Sequence, residues 1–316
     1  PEARPAANKV VEEAAKAKRQ EITSNGKLTE EEQQAAIAKV NAAEASAKEA
    51  IKQAASTADV ERQGELGKAA IEAIKALDDQ APSTKETAKA SITQAEQDKK
   101  NAIEADNNLT REEKNAAKDA VTAKAEAARE AIDAAKNLSD VQAQERQGKA
   151  AIAGVPATAT AKPEAIQAIE AAEAQKRQEI QDKEGLTDEE RNKALASLAV
   201  AVQEARNAIN AADTNTLVGT AKDNGLGAIR AIEAEAKAKP TALAAVADAA
   251  NVKKAAIQSN AELTDDEKAE AVRKVNEELD KAEKAIKAAS SDEAVTREQS
   301  TGTTAIRGVS ETPEAR

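Results

Sequence analysis

Carboxylates are the side chains in this sequence best equipped for chemistry, and they recur in one phrase. "KLTEEEQ" at residues 27–33 returns as "NLTREEK" at 108–114, "GLTDEER" at 185–191 and "ELTDDEK" at 262–268. Clustered Asp and Glu can ligate a hard cation through oxygen or act as general acids and bases. The surrounding residues support neither use. "DNNLTREE" (106–113) and "DKEGLTDEE" (182–190) lack the ligand spacing of a calcium loop, and "SNGKLTEEE" (24–32) has no carboxylate ahead of its leucine. The sequence has no His and no Cys, which removes the commonest general base and the thiol nucleophile. "RQGELGKAA" (62–70) has the wrong glycine spacing for a phosphate loop and no Ser or Thr after its lysine. The expectation is a non-enzyme with no catalytic residue, no cofactor, no metal ligand and no small-molecule substrate.

The same phrase has a structural use. Thr29, Thr110, Thr187 and Thr264 are each followed three residues later by Glu32, Glu113, Glu190 and Glu267. That is the capping box, in which Thr and Glu reciprocally satisfy free backbone donors at a helix start. The acidic residues between them sit where the helix dipole favours negative charge. The preceding Leu has only polar partners at the fourth helical position, so it is expected to plug the end of a bundle.

With Leu28, Leu109, Leu186 and Leu263 as anchors, the spacings are 81, 77 and 77, and six further columns fall into register. Six residues before each anchor stands Ile (22, 103, 180, 257); twelve after come Val40, Val121, Leu198 and Val275. Ile51, Ile132, Ile209 and Ile286 follow at +23, and Val60, Val141, Val218 and Val295 at +32. Gly67, Gly148, Gly225 and Gly302 stand at +39, and Ile71, Ile152, Ile229 and Ile306 at +43. Such regularity marks a tandem array. The reading divides it into repeats at 1–80, 81–161, 162–238 and 239–316.

Each repeat reads as three helices. From +9 to +26 the apolar residues alternate by three and four, as in Val272, Val275, Leu279, Ala282, Ile286 and Ala289. That is one stripe along a helix of roughly 25 residues. At +28 stand Ser56, Asn137, Thr214 and Ser291, all capable N-caps for a third helix. Pro5, Pro82, Pro163 and Pro240 mark the expected start of helix 1, where a missing N–H costs nothing. Pro82 stands 27 residues before its anchor and the others 23, so helix 1 of the second copy is expected to be longer by one turn. The +39 glycines read as points of close helix–helix approach or as tolerated weak points, not as a ligand surface.

Composition agrees. Hydrophobic residues make up 41% with no Phe, Trp, Tyr or Met, so Ala, Val, Ile and Leu supply all of it. Ala, Glu, Lys and Gln are strong helix formers, and eleven Gly and seven Pro leave long helices uninterrupted. The fold class expected is all-α: tandem three-helix bundles stacked end to end into an elongated, monomeric rod. Three antiparallel helices deliver the backbone to the far end of its bundle, so helix 3 and the next helix 1 run the same way. Through 229–246 only Pro240 interrupts a nearly continuous or kinked helix, whereas "GVPATATAKPE" (154–164) reads as looser. At 1.5 Å per residue, four bundles in line would measure roughly 140 Å. A net charge of −11 with interspersed signs and no aromatic side chains argues against nucleic acid, and no apolar run reaches membrane-spanning length. A first residue that is Pro rather than Met is expected to mean a piece excised from a longer protein.

"AIEADNNLTREEKNAAKDAV" (102–121) and "AREAIDAAKNLSDVQAQERQGKAAI" (128–152), with their counterparts in the other copies, carry a family resemblance. Through all four copies the sequence resembles the tandem three-helix repeats of Gram-positive (staphylococcal and streptococcal) cell-wall-anchored adhesins, known as domain of unknown function 1542. The resemblance implies an extracellular place, an adhesive domain beyond one end and a wall-sorting signal beyond the other; it carries over no functional residues. On it rests the reading of a stalk that holds a distal adhesive region away from the cell wall. The alternative is a multivalent array binding host proteins of matrix, immunoglobulin or albumin type. Gln33, Lys114, Arg191 and Lys268, just after the phrase, differ in kind, which favours the stalk because a binding face should repeat its exposed residues.

Overall fold

The structure is a computed structural model describing residues 2–77 and 83–313, and these hold twelve helices and no strand. They fall into two compact units, Pro1–Thr158 and Ala159–Arg316. The first unit contains α1 (Ala3–Thr23), α2 (Glu30–Gln53), α3 (Thr57–Glu72), α4 (Thr84–Ala105), α5 (Arg111–Ala134) and α6 (Leu138–Ala153). The second contains α7 (Ala161–Asp182), α8 (Asp188–Ala211), α9 (Asn215–Arg230), α10 (Ala238–Ser259), α11 (Asp265–Ala288) and α12 (Asp292–Arg307). The helices pack in threes, each touching the other two of its own bundle. The fold is all-α.

The apolar columns are the core. The anchor leucines and the Ile and Val residues at −6, +12, +23, +32 and +43 are buried in every repeat, as is Leu198 at +12 of the third. A further column, Val11, Ile92, Ile169 and Val246 at −17, has no exposed surface and completes helix 1. These seven columns recur in every repeat, Val155, Val202 and Val309 add one more side chain to each of the last three, and with small alanines between them they make a slim core.

Thinness is relieved by close packing at the glycine column. A Cβ built on Gly67, Gly148, Gly225 or Gly302 would lie 2.5, 2.5, 2.6 or 2.4 Å from the Cβ of Ala47, Ala128, Ala205 or Ala282. Helix 3 therefore rides directly on an alanine of helix 2, and only glycine permits that separation. The +39 glycines are contact points between helices.

Two expectations are corrected. Helix 1 of the second copy is not longer: α4 has 22 residues, as do α7 and α10. The four additional residues lie before it, in a connector spanning 73–83 where the later connectors span 154–160 and 231–237. Pro82 lies outside the described residues, and α4 instead opens on Ser83, which forms a capping box with Glu86. Pro5, Pro163 and Pro240 stand third in their helices, within the first turn. Nor does a helix run through 229–246, since α9 ends at Arg230 and α10 begins at Ala238. "AIEAEAK" (231–237) has high helix propensity, but tertiary contacts override it. Lys176 takes the Arg230 carbonyl, Ala234 is buried, and Lys183 donates to the Ala234 carbonyl.

Gly148→Ala should lower stability by about 1–2 kcal/mol, overpacking outweighing the gain in helix propensity. Gly219→Ala, where an added Cβ meets nothing within 4 Å, should raise it by up to about 1 kcal/mol. Thermal denaturation of both variants checks the pair; a Gly148→Ala variant as stable as the parent would mean that the glycine contact is not tight.

Candidate functional site: the joint between repeats

Every helix 2 starts as its sequence suggests. Thr29, Thr110, Thr187 and Thr264 are N-caps, each in a complete capping box with the Glu three residues on. In the third helices Ser56, Asn137, Thr214 and Ser291 accept a hydrogen bond from the backbone N–H three residues later.

The acidic residues of the phrase also do something that no single repeat reveals. In the first unit Glu32 holds its own cap, Oε1 accepting from the Thr29 amide at 2.9 Å, while its Oε2 accepts from the amide of Thr84 in the next repeat at 3.1 Å. Glu31 Oε2 accepts from the Leu138 amide at 2.9 Å, and the Glu30 amide donates to the Lys136 carbonyl at 2.8 Å. The second unit repeats the arrangement position for position. Glu190 Oε1 accepts from Thr187 at 3.0 Å, and its Oε2 from the amides of Lys237 and Ala238 at 2.7 and 3.1 Å. Glu189 Oε2 accepts from the Asp292 amide at 3.1 Å, and the Asp188 amide donates to the Ser290 carbonyl at 2.7 Å.

The geometry explains the acidity. In each unit three helix N-termini converge on one carboxylate pair: α2, α4 and α6 around Glu31 and Glu32, and α8, α10 and α12 around Glu189 and Glu190. Helix N-termini carry partial positive charge and unpaired N–H groups, so two carboxylates neutralise the meeting of three like ends. Lys136, two residues beyond α5, delivers its carbonyl to the first amide of α2, and Ser290, two beyond α11, delivers its carbonyl to the first amide of α8. A shallow recess of about 500 Å³ beside the second joint is lined by Glu189, Glu190, Lys193, Lys237 and Asp292. Burial pushes the Glu190 carboxyl upward. The amides of Thr187, Lys237 and Ala238 outweigh that and hold it below the ordinary carboxylate range.

Cationic side chains close the opposite helix ends. Lys85, Lys162 and Lys239 are buried, and their ammonium groups donate to the carbonyls of Asp133, Asn210 and Lys287 near the ends of α5, α8 and α11, at 2.7, 2.6 and 2.6 Å. Arg4, in the same register, donates to Ala54 at 2.8 Å. Lys85 also donates across the joint to the Gly26 carbonyl at 2.8 Å. Lys18, Lys99, Lys176 and Lys253, ten residues before each anchor, cap the third helices through the carbonyls of Glu72, Ala153, Arg230 and Arg307 at 2.9–3.1 Å. Cations at helix C-termini satisfy the last carbonyls and complement the dipole. Gln33, Lys114 and Arg191 differ in kind but share one task, donating to carbonyls in the final turn of helix 1 or just beyond it.

Two carboxylates ahead of the anchor leucines, Asp106 at the C-cap of α4 and Asp182 at the last residue of α7, have local partners. Asp106 accepts from the Asn108 amide at 3.0 Å, and Asp182 from the Gln178 side chain at 2.8 Å. Among the described residues no helix is long and apolar enough to cross a membrane.

Fold and joints together define a tandem three-helix repeat protein whose successive bundles are, within each unit, hydrogen-bonded end to end. The chain belongs to the family described as Domain of Unknown Function (DUF1542), whose model matches residues 3–78, 84–160, 161–237 and 238–314. It is 28% identical over 284 residues to the "Extracellular matrix-binding protein EbhA" of Staphylococcus aureus strain Mu3, covering 90% of this chain and 4% of that one. The "Extracellular matrix-binding protein ebh" of strain MRSA252 is likewise 28% identical over 285 residues, covering 90% of this chain and 3% of the relative. No solved structure matches.

The folded-state carboxyl of Glu190 lies below its unfolded value. Its stabilisation is therefore complete above the ordinary glutamate range and is lost as pH falls through the depressed folded value. Glu190→Gln should cost about 1 kcal/mol at neutral pH, discounted for partial exposure, and should flatten the acid limb of a stability–pH profile. Superimposable acid limbs for parent and variant would exclude this carboxylate as a contributor to the joint.

Proposed function

We propose that this protein is a length of stalk from a bacterial surface adhesin, a spacer that holds an adhesive region outward from the cell wall and itself performs no catalysis. The observation that carries the reading is the joint, built from the same register positions in both units. A joint made of backbone amides and carboxylates fixes the approach of neighbouring bundles without demanding a particular surface sequence. Such a design suits a spacer of many repeats, in which stability is a sum of bundle and neighbour terms. The likeness to far longer proteins, of which this chain spans about 4%, is compatible with one segment of a long repeat array.

Those printed names also favour a second reading, in which the repeats themselves bind extracellular matrix. A multivalent array would show its hot spots at one register position in every copy. Among the described residues the exposed large apolar ones are Leu66, Leu138, Val200, Leu217 and Val252, and no two share a position relative to their anchors. That scatter supports the spacer.

Pulling a single molecule from its two ends should give successive unfolding steps of one repeat, roughly 250 Å of contour each. One undivided step would contradict series-coupled bundles. In parallel, the protein should show no saturable binding to an extracellular-matrix-coated surface; saturable binding that tracks repeat number would establish the second reading instead.

A further inference from the structure

The sequence contains two Asn-Gly dipeptides, Asn25–Gly26 and Asn224–Gly225, and the structure places them in opposite environments. Asn224–Gly225 lies inside α9, where the Gly225 amide belongs to the helix ladder and an added Cβ would sit 2.6 Å from Ala205. Asn25–Gly26 lies in the loop between α1 and α2. Gly26 is exposed, has nothing within 4 Å of a built Cβ, and its amide makes no hydrogen bond. Without a Cβ its nitrogen can approach the preceding side chain unhindered.

We propose that Asn25–Gly26 is a site of spontaneous deamidation and backbone isomerisation that loosens the joint between the first two repeats. The Gly26 nitrogen gives its proton to solvent base and bonds to the amide carbonyl carbon of the Asn25 side chain. The bond from that carbon to the amide nitrogen breaks, ammonia leaves, and a five-membered succinimide remains. Water then opens the ring. Breaking the ring bond to the former side-chain carbonyl yields Asp; breaking the bond to the backbone carbonyl yields isoaspartate, whose backbone runs through the former side chain and is one carbon longer. Water is the only co-reactant.

The two products differ in what the joint tolerates. Asn25 Oδ1 accepts from the Lys27 amide at 3.0 Å, and in the second copy Asp106 at the same register accepts from the Asn108 amide at 3.0 Å. Asp is therefore compatible with this turn. Isoaspartate is not, because the carbonyls on either side of the altered bond are both in use. The Gly26 carbonyl receives Lys85 from the next repeat, and the Asn25 carbonyl receives Gln33 at 3.2 Å and the Leu28 amide at 3.2 Å. An added carbon displaces them together. The other loops place Asn107, Glu184 and Ala261 after this position, so the lesion is confined to the first joint.

The test is to age the folded protein at mildly alkaline pH and body temperature, then map its peptides by mass spectrometry with isoaspartate detection. Asn25 should convert at least about tenfold faster than Asn224 in the folded protein, and the two should convert at similar rates in denaturant. Isoaspartyl molecules, separated from the rest, should melt below the parent, whereas Asn25→Asp should melt with it. Equal folded-state rates at the two asparagines, or isoaspartyl molecules that melt with the parent, would overturn the proposal.

Discussion

A helix N-terminus in contact with other N-termini is unstable unless something negative lies between them, and each described joint meets that constraint with two carboxylates. Glu31 with Glu32, and Glu189 with Glu190, each satisfy amides on helices of two successive bundles. Glu32 and Glu190 use one oxygen for their own cap and the other for the neighbour. Folding of one bundle thereby completes the acceptor that the next requires. The arrangement is polar, directional and indifferent to surface sequence, which is what a repeat needs if its copies diverge.

The rest of the bundle is economical because its ends are so fully satisfied. Lysines ten residues before each anchor close helix 3, Arg4 and its three lysine equivalents close helix 2, and the residue after the acidic phrase closes helix 1 in three copies. With the backbone accounted for, a core of slender aliphatic columns suffices, provided helix 3 seats directly on helix 2. The glycine–alanine contacts supply that seating.

Much of this was legible in the residues. Thr and Glu three apart announce a cap by local chemistry, and Ile and Val in register announce a core, so helix 2, helix 3 and the all-α class followed. What the residues do not disclose has specific physical causes. The lysine columns lie in plain register, but a lysine carries no local sign of burial, and only contact with a distant carbonyl makes it structural. Pro82 reads as a start signal, yet "STKE" (83–86) carries the capping box of α4. "AIEAEAK" (231–237) reads as helix from propensity, and no local feature shows that Glu190 and two lysines hold it as a non-helical connector. The double use of the acidic pair could not be seen without knowing which ends meet.

The central claim is that the acidic start of helix 2 binds the following repeat. The most direct measurement is amide hydrogen exchange at Glu30 and Asp188, each the first residue of its helix. In a lone bundle these N–H groups have no partner and exchange at open-chain rates. The account predicts that both are protected in the native protein, because they donate to Lys136 and Ser290 of the following repeats, and that Glu189→Gln combined with Glu190→Gln erodes protection at Asp188 while leaving Glu30 unchanged. Unprotected exchange at both amides in the parent protein would contradict it.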